Sequence, residues 1–152
     1  PWSVLRLAGI YGPGRVPRVA DVVDGKPIQA DPQAYLNLIH VEDAARAVIG
    51  AWDQLDRKAA GTEGSWKKNL RPSMQSRLYV VADDHPVQRG EFYQEIARQI
   101  RASKPQFESS QTAEPQHSRR VSNKRVRNRK MRRDLLQRLC YPDYRSGLAD
   151  IL

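Results

Sequence analysis

The chain has a single cysteine, Cys140, so no disulfide can form within it and no CxxC pair prepares a zinc site. No apolar run approaches the ~20 residues that a membrane-spanning helix needs. The start shows no basic stretch followed by an apolar one, the pattern of a secretory leader. These absences predict a soluble, cytoplasmic protein with no membrane partner. The three histidines, His40, His85 and His117, lie outside HExxH or any other metal-ligand spacing, so no metal site is expected. No GxSxG marks a nucleophilic serine. The nine glycines never form G-x-G-x-x-G. Gly12-Pro13-Gly14 comes nearest, but Arg15, Val16 and Pro17 follow it, and Pro13 lacks an amide to offer a phosphate. No residue is therefore expected to catalyse a reaction or bind a cofactor.

What the chain has in excess is positive charge, and it is local. The formal net charge is +9, and nine Lys or Arg with no acid fall between Arg119 and Arg133. The remainder of the chain balances. A run of this kind describes a partner or a solvated face more than a fold. One reading makes residues 119–133 a nucleic-acid-binding or interaction module, bound through phosphates. The other makes them the wet side of a helix whose Leu135, Leu136 and Leu139 turn inward. The run has no interleaved aromatics for base stacking, which favours the second.

At 152 residues, 39% of them hydrophobic, the chain can form one modest core. Residues 4–10 (VLRLAGI) are short, mostly apolar and closed by Gly12-Pro13-Gly14, the pattern of a strand buried on both faces. Residues 16–25 predict a short helix, 27–32 an extended segment and turn, and 35–41 a second strand. Over residues 42–55 the spacing puts Ala45, Val48, Trp52 and Leu55 on one helical face, with Glu42 and Asp43 at its positive end. Residues 56–77 carry no apolar period and read as an insertion or mobile loop. A third strand is predicted at 78–82, followed by a turn at Asp83-Asp84 and a helix facing inward through Phe92, Tyr93, Ile96, Ala97 and Ile100. Residues 103–118 read as a polar surface loop, 124–139 as a helix, and 144–152 as a short last one. Strands and helices alternate, so the class is α/β. Three strands make a small sheet, and removing a covering half would expose the apolar face of residues 4–10.

Two stretches carry more than a fold class. "LRLAGIYGPGR" followed by "NLIHVEDAARAVIGA" resembles the second half of the extended short-chain dehydrogenase/reductases, the NAD-dependent epimerase/dehydratases that include nucleotide-sugar epimerases. "LYVVADDHPVQRGEFYQEIARQI" is similar to the strand, turn and helix that follow in that family, and "SNKRVRNRKMRRDLLQRLCYPDYRSGLADIL" to its terminal segment. The resemblance spans residues 1–152 apart from 56–77 and 103–118. It implies a partial Rossmann-type fold, comprising the last strands and a C-terminal substrate-binding lobe without the N-terminal dinucleotide-binding half. That half would carry the glycine-rich loop and the Tyr-x-x-x-Lys pair, and none of the six tyrosines here is followed four residues later by lysine. In such enzymes the tyrosine acts as base and a hydride passes to NAD(P). The resemblance is thus to an oxidoreductase or isomerase whose catalytic parts lie outside this sequence, with no cofactor expected on this chain alone. The implied partners are a nucleotide-sugar-like substrate and a missing N-terminal half.

Position by position, the resemblance puts Tyr11 and Gly12 in the loop beside nicotinamide and substrate. Arg15 is placed to meet an anionic group, since its fork donates paired hydrogen bonds to phosphate. His40 falls where the second strand meets its helix, near the pocket. Asn37, Arg125 and Asn128 are further candidates for contacts to nucleotide or sugar. Each has a plainer reading: a tight turn for Tyr11 and Gly12, a surface cation for Arg15, a hydrogen-bonded structural histidine for His40, and a helix-end acid for the neighbouring Asp43.

Overall fold

The structure is a computed structural model that describes residues 2–59, 77–108 and 123–152. The apolar opening forms two strands, β1 (Val4–Leu7) and β2 (Gly9–Tyr11), divided at Ala8. The division comes from a change of neighbour. β1 pairs in parallel with Leu78–Val81, and β2 pairs in parallel with Leu38–His40. The Ala8 amide donates to the Val81 carbonyl and the next amide, of Gly9, donates to the Asn37 carbonyl, both at 2.9 Å. A side chain at Gly9 would meet that carbonyl at 3.2 Å, a tight contact that glycine avoids at the crossing.

The expected strand at 35–41 is likewise two pieces, β4 (Tyr35–Leu36) and β5 (Leu38–His40), after a short β3 (Ile28–Gln29). Farther along lie β6 (Leu78–Val81), β7 (Val87–Gln88) and β8 (Phe107–Glu108). β3 pairs with β8 in parallel and β4 with β7 antiparallel. Four small ladders therefore stand where three strands were expected. The helices are α1 (Val19–Val23), α2 (Val41–Ala59), α3 (Arg89–Gln99), α4 (Arg129–Asp134) and α5 (Tyr144–Ile151).

Adjacent residues of β5 feed two separate cores, because successive strand side chains point to opposite faces. Leu38 joins Tyr11, Phe92, Tyr93, Ile96, Tyr144 and Leu148 between α3, α5 and the site loop. Ile39 joins Ala44, Ala47, Val81, Met131 and Leu136 beneath α2 and α4. The predicted inward face of α3 is the buried one at Phe92, Tyr93, Ile96 and Ala97. Burial of each large side chain there contributes roughly 1.5–3 kcal/mol.

Three expectations need correction. α2 buries Ala44, Ala47 and Ala51, whereas Ala45, Val48 and Trp52 are exposed and Leu55 is half-buried. The small face is the inner one because the chain approaches α2 closely: a Cβ on Gly50 would lie 2.4 Å from the Leu135 carbonyl oxygen. Next, β1 is not buried on both faces, since Val4 and Leu7 are exposed. Finally, the helix expected over 124–139 is only Arg129–Asp134. Side-chain amides hold the preceding residues extended: Asn37 donates to the Lys124 carbonyl and accepts from the Val126 amide, while Asn123 accepts from the Tyr35 amide. Met131 and Leu136 still reach the second core, with Leu135 and Leu139 packed on it.

The predicted loop at 56–77 is helical as far as Ala59, and 60–76 lie outside the described residues. Of the loop predicted at 103–118, Phe107 and Glu108 form β8, and 109–118 lie outside the described residues.

Arg101 follows α3 at φ 57°, in the left-handed region that favours glycine. Arg101→Gly is expected to stabilise the fold by up to about 1 kcal/mol. Thermal unfolding should then show Tm rising by roughly 2–4 °C; an unchanged or lower Tm would count against strain at this position.

Candidate functional site

β2 ends in a loop that closes on itself. Gly12 and Arg15 exchange backbone hydrogen bonds at 3.1 and 2.9 Å, and Gly14 supplies φ 72° between them. Gly12 is buried against the first residue of α2, where a Cβ would stand 2.5 Å from Val41 Cγ1 and 3.8 Å from His40 Nε2. Arg15 is exposed on the loop, and its guanidinium has no ion-pair or hydrogen-bond partner among the described residues.

Tyr11 points the other way. It is fully buried, its ring edge-on to His40 and Phe92, and its hydroxyl donates a long 3.5 Å bond to the Asp143 carbonyl. Gly147 of α5 makes room for that hydroxyl, since a Cβ there would lie 2.1 Å away. Burial, with Asp83 and Asp143 nearby, pushes the phenol far above its ordinary range. Tyr11 therefore stays protonated and is no phenolate base.

His40 is buried beneath the loop, with Tyr141 against its ring at a centroid distance of 3.9 Å. Its Nδ1 accepts from the Glu42 amide at 3.3 Å, which leaves the neutral ring's proton on Nε2, and that atom has no partner. Asp83 is buried too. Its Oδ1 accepts from the His85 amide at 3.0 Å, while Oδ2 has no partner. Burial pushes its carboxyl up to about 8, against the His85 bond and with help from Asp84 and Asp143. Burial therefore favours the protonated form of this carboxyl at neutral pH.

One further acid organises the site. Asp43 is completely buried, and its carboxylate accepts from the amides of Cys140 and Tyr141 and from Arg46, at 2.9, 2.8 and 2.9 Å. That tie sets Tyr141 on His40, and Asp143 then caps α5 through the Ser146 amide. Cys140 is exposed, with Arg46 donating to its sulfur at 2.8 Å.

The structure thus brings Tyr11, Gly12, Arg15 and His40 together. Asn37 uses both amide atoms on the 124–126 backbone. Asn128 donates to the Ala82 and Asp83 carbonyls and to Asp84, which connects it to the underside of the site. Arg125 is exposed and stacks over the Tyr35 ring at 4.9 Å, apart from the loop. Sequence reasoning took Asp83 for a turn former and Asp43 for a helix-end acid. Both do those jobs, but neither position announced its burial; the Asp83-Asp84-His85-Pro86 turn beside a strand end was the available signal.

Other cations of the basic run are spent within the chain. Arg132 pairs with Asp84 and Arg133 with Asp134, while Lys130 donates to the Leu78 carbonyl and lies over the Tyr79 ring.

The chain is similar to solved structures over nearly its whole length. A functionally unknown conserved protein from Silicibacter pomeroyi is 31% identical, with 98% of this chain matched to 47% of that one at a TM-score of 0.68. A protein assigned as an NAD-dependent epimerase/dehydratase from Methylobacillus flagellatus is 23% identical, with coverage of 98% and 45% and a TM-score of 0.64. The chain carries part of the NAD-dependent epimerase/dehydratase fold. A variant UDP-glucuronic acid 4-epimerase from Bacillus cereus, complexed with a fluorinated UDP-glucuronic acid analogue and NAD, shares the epimerase fold at 14% identity, coverage of 97% and 42%, and TM-score 0.63. The chain spans less than half the length of these structures. No protein-family model and no curated protein matches it. Among the described residues, no helix is long and apolar enough to cross a membrane.

Two outcomes follow from the buried acids. Asp43→Ala leaves two amides and a guanidinium without an acceptor and should destabilise the fold by about 3 kcal/mol in urea unfolding; a loss below about 1 kcal/mol would contradict the tie. For Asp83, the folded carboxyl holds its proton up to about 8 while the unfolded one loses it near the ordinary value of 3.8. Stability should therefore fall as pH rises between those values, by at most about 1.4 kcal/mol per pH unit, and level off above them. Asp83→Asn should flatten that slope, and equal slopes in the two proteins would refute the assignment.

Proposed function

We propose that this chain is the substrate-binding part of an NAD-dependent epimerase/dehydratase-like oxidoreductase acting on a nucleotide sugar, and that it transfers no hydride by itself. The observation that carries this reading is the fold match, over nearly all of this chain, to less than half of epimerase/dehydratase structures. The sequence adds that neither a glycine-rich dinucleotide loop nor a Tyr-x-x-x-Lys pair is present. In the parent enzyme, NAD(P) bound by the other half would supply hydride transfer; no residue of this chain is assigned to hold it.

Within this chain, the Gly12–Arg15 turn offers its one exposed cation toward a diphosphate, where a guanidinium donates charge-assisted hydrogen bonds. His40 and Val41 fix the turn from below, and Tyr11 anchors it to α5. Tyr11 supports the turn through packing, because its hydroxyl faces Asp143 and Gly147 and away from solvent. The nucleic-acid reading of residues 119–133 is disfavoured by the internal pairing of Lys130, Arg132 and Arg133.

Calorimetric titration tests this assignment. UDP-glucose should bind saturably, glucose should not, and Arg15→Ala should weaken UDP-glucose about tenfold, as loss of a charge-assisted phosphate contact implies. NADH fluorescence should not change on addition of the chain. Absence of saturable UDP-glucose binding, or binding indifferent to Arg15→Ala, would remove the assignment.

A further inference from the structure

Tyr93 projects from the middle of α3 into the first core, yet its hydroxyl has no hydrogen-bond partner among the described residues. The residue is only 5% exposed, with Phe92 and Phe107 against its ring at centroid distances of 5.4 and 6.2 Å. Val22 of α1 belongs to the same core, so α1 lies along this part of α3. Unlike His40 Nε2 and Asp83 Oδ2, the Tyr93 oxygen is not sealed from solvent. A small polar solute can therefore reach it.

Two guanidiniums face that oxygen. Arg89 begins α3 one turn before Tyr93, and residues four apart share a helix face. Arg18 comes from the opposite side, at the start of α1. Burial pushes the Tyr93 phenol above its ordinary range, and the charges of Arg18 and Arg89 pull against it, which places both near the hydroxyl. Burial prevails, so Tyr93 keeps its proton as a hydrogen-bond donor. Arg89 is half-buried, and its guanidinium has no ion-pair or hydrogen-bond partner among the described residues. Arg18 gives Nη1 to Asp21 at 3.0 Å and keeps its other donors. It also stands at φ 53°, a left-handed conformation in which glycine is the least costly residue. The first two amides of α3 are spent on the Ala34 and Pro32 carbonyls, so the positive charge here comes from side chains.

We infer that Arg18, Arg89 and Tyr93 form an anion site at the seam of α1 and α3 that takes a phosphate dianion. Each guanidinium offers paired, charge-assisted hydrogen bonds to phosphate oxygens, and the phenol adds a further donor. A tetrahedral phosphate accepts from donors on two helices at once, whereas a planar carboxylate meets one fork. Arg15 is not among the donors, so the inference goes beyond the nucleotide-sugar reading and does not depend on it. Free phosphate and a phosphomonoester present the same chemistry.

The test follows the tyrosine ζ-carbon resonances of the isotope-labelled chain at constant ionic strength, in an Arg15→Ala background that removes the exposed cation of the turn. Inorganic phosphate should shift the Tyr93 signal saturably, and Tyr93→Phe identifies that signal by its loss. Arg18→Gly and Arg89→Ala should each raise the half-saturating concentration about tenfold, as loss of a charge-assisted contact implies. Asp21→Asn should lower it, an effect that unfolding cannot produce. Glycine suits the φ at position 18 and Arg89 makes no hydrogen bond, so both cation variants should keep the Tm of the parent. Glucose 1-phosphate saturating below inorganic phosphate identifies a phosphomonoester as the occupant, and the reverse order identifies free phosphate. A Tyr93 signal indifferent to both, or unchanged half-saturation in Arg18→Gly and Arg89→Ala, overturns the inference. So does displacement of phosphate by UDP-glucose in the chain with Arg15 intact, because the anion is then the diphosphate already assigned to the turn. Failure of UDP-glucose to bind at all removes that assignment and leaves this site standing.

Discussion

The carboxylate of Asp43 holds the two ends of this chain together. It sits at the start of α2 with no exposure to solvent, and it receives two successive backbone amides from a segment 97 and 98 residues away. A buried carboxylate is costly unless its lone pairs are occupied, and here Arg46 supplies the third donor and the countercharge. With the Asp84 amide on the Pro142 carbonyl and Tyr144 and Leu148 in the first core, that contact fixes the segment C-terminal to Cys140. Tyr141 comes to rest on His40, Asp143 begins α5, and Gly147 seats the Tyr11 hydroxyl. The Gly12–Arg15 turn therefore takes its position from a helix that folds against it at the far end of the sequence.

A second set of polar ties decides how the basic segment runs. Local propensity favours a long helix through residues 124–139, because Lys and Arg are good helix formers. Asn37 and Asn123 offer the backbone different partners and draw residues 123–128 out alongside β4 and β5. Asn128 then anchors the segment to the turn after β6. Several of its cations end on Asp84, Asp134 and the Tyr79 ring, so the charge that dominates the composition is partly consumed in holding this segment in place.

The two cores differ in what they leave exposed. The first is closed around by α1, α3, α5 and the short ladders, and its aromatic rings meet edge-on. The second lies under a helix whose outer stripe is as apolar as its inner one. Tyr11, which leads into the Gly12–Arg15 turn, belongs to the closed core, while no described element covers the outer stripe of α2. Asp83 is buried near the same closed core, and burial favours the protonated form of its carboxyl.

The amino-acid sequence by itself determined the places of α1, α2, α3, α5 and the apolar strand segments before α2 and α3, the inward face of α3, the turn at Gly12-Pro13-Gly14, and the motif sequence that points to half of an epimerase/dehydratase. These are local patterns, set by periodicity over ten or so residues and by glycine and proline at turns. The tertiary structure alone decided which side of α2 is buried. Hydrophobicity marks Val48 and Trp52 as inner residues, but the approach of Leu135 to Gly50 admits only small side chains, so alanines face inward and the larger residues stay outside. It also decided that residues 123–128 are extended and that Asp43 and Asp83 are buried. In each case the determining partner lies dozens of residues away, where no local pattern can register a single backbone amide or carbonyl.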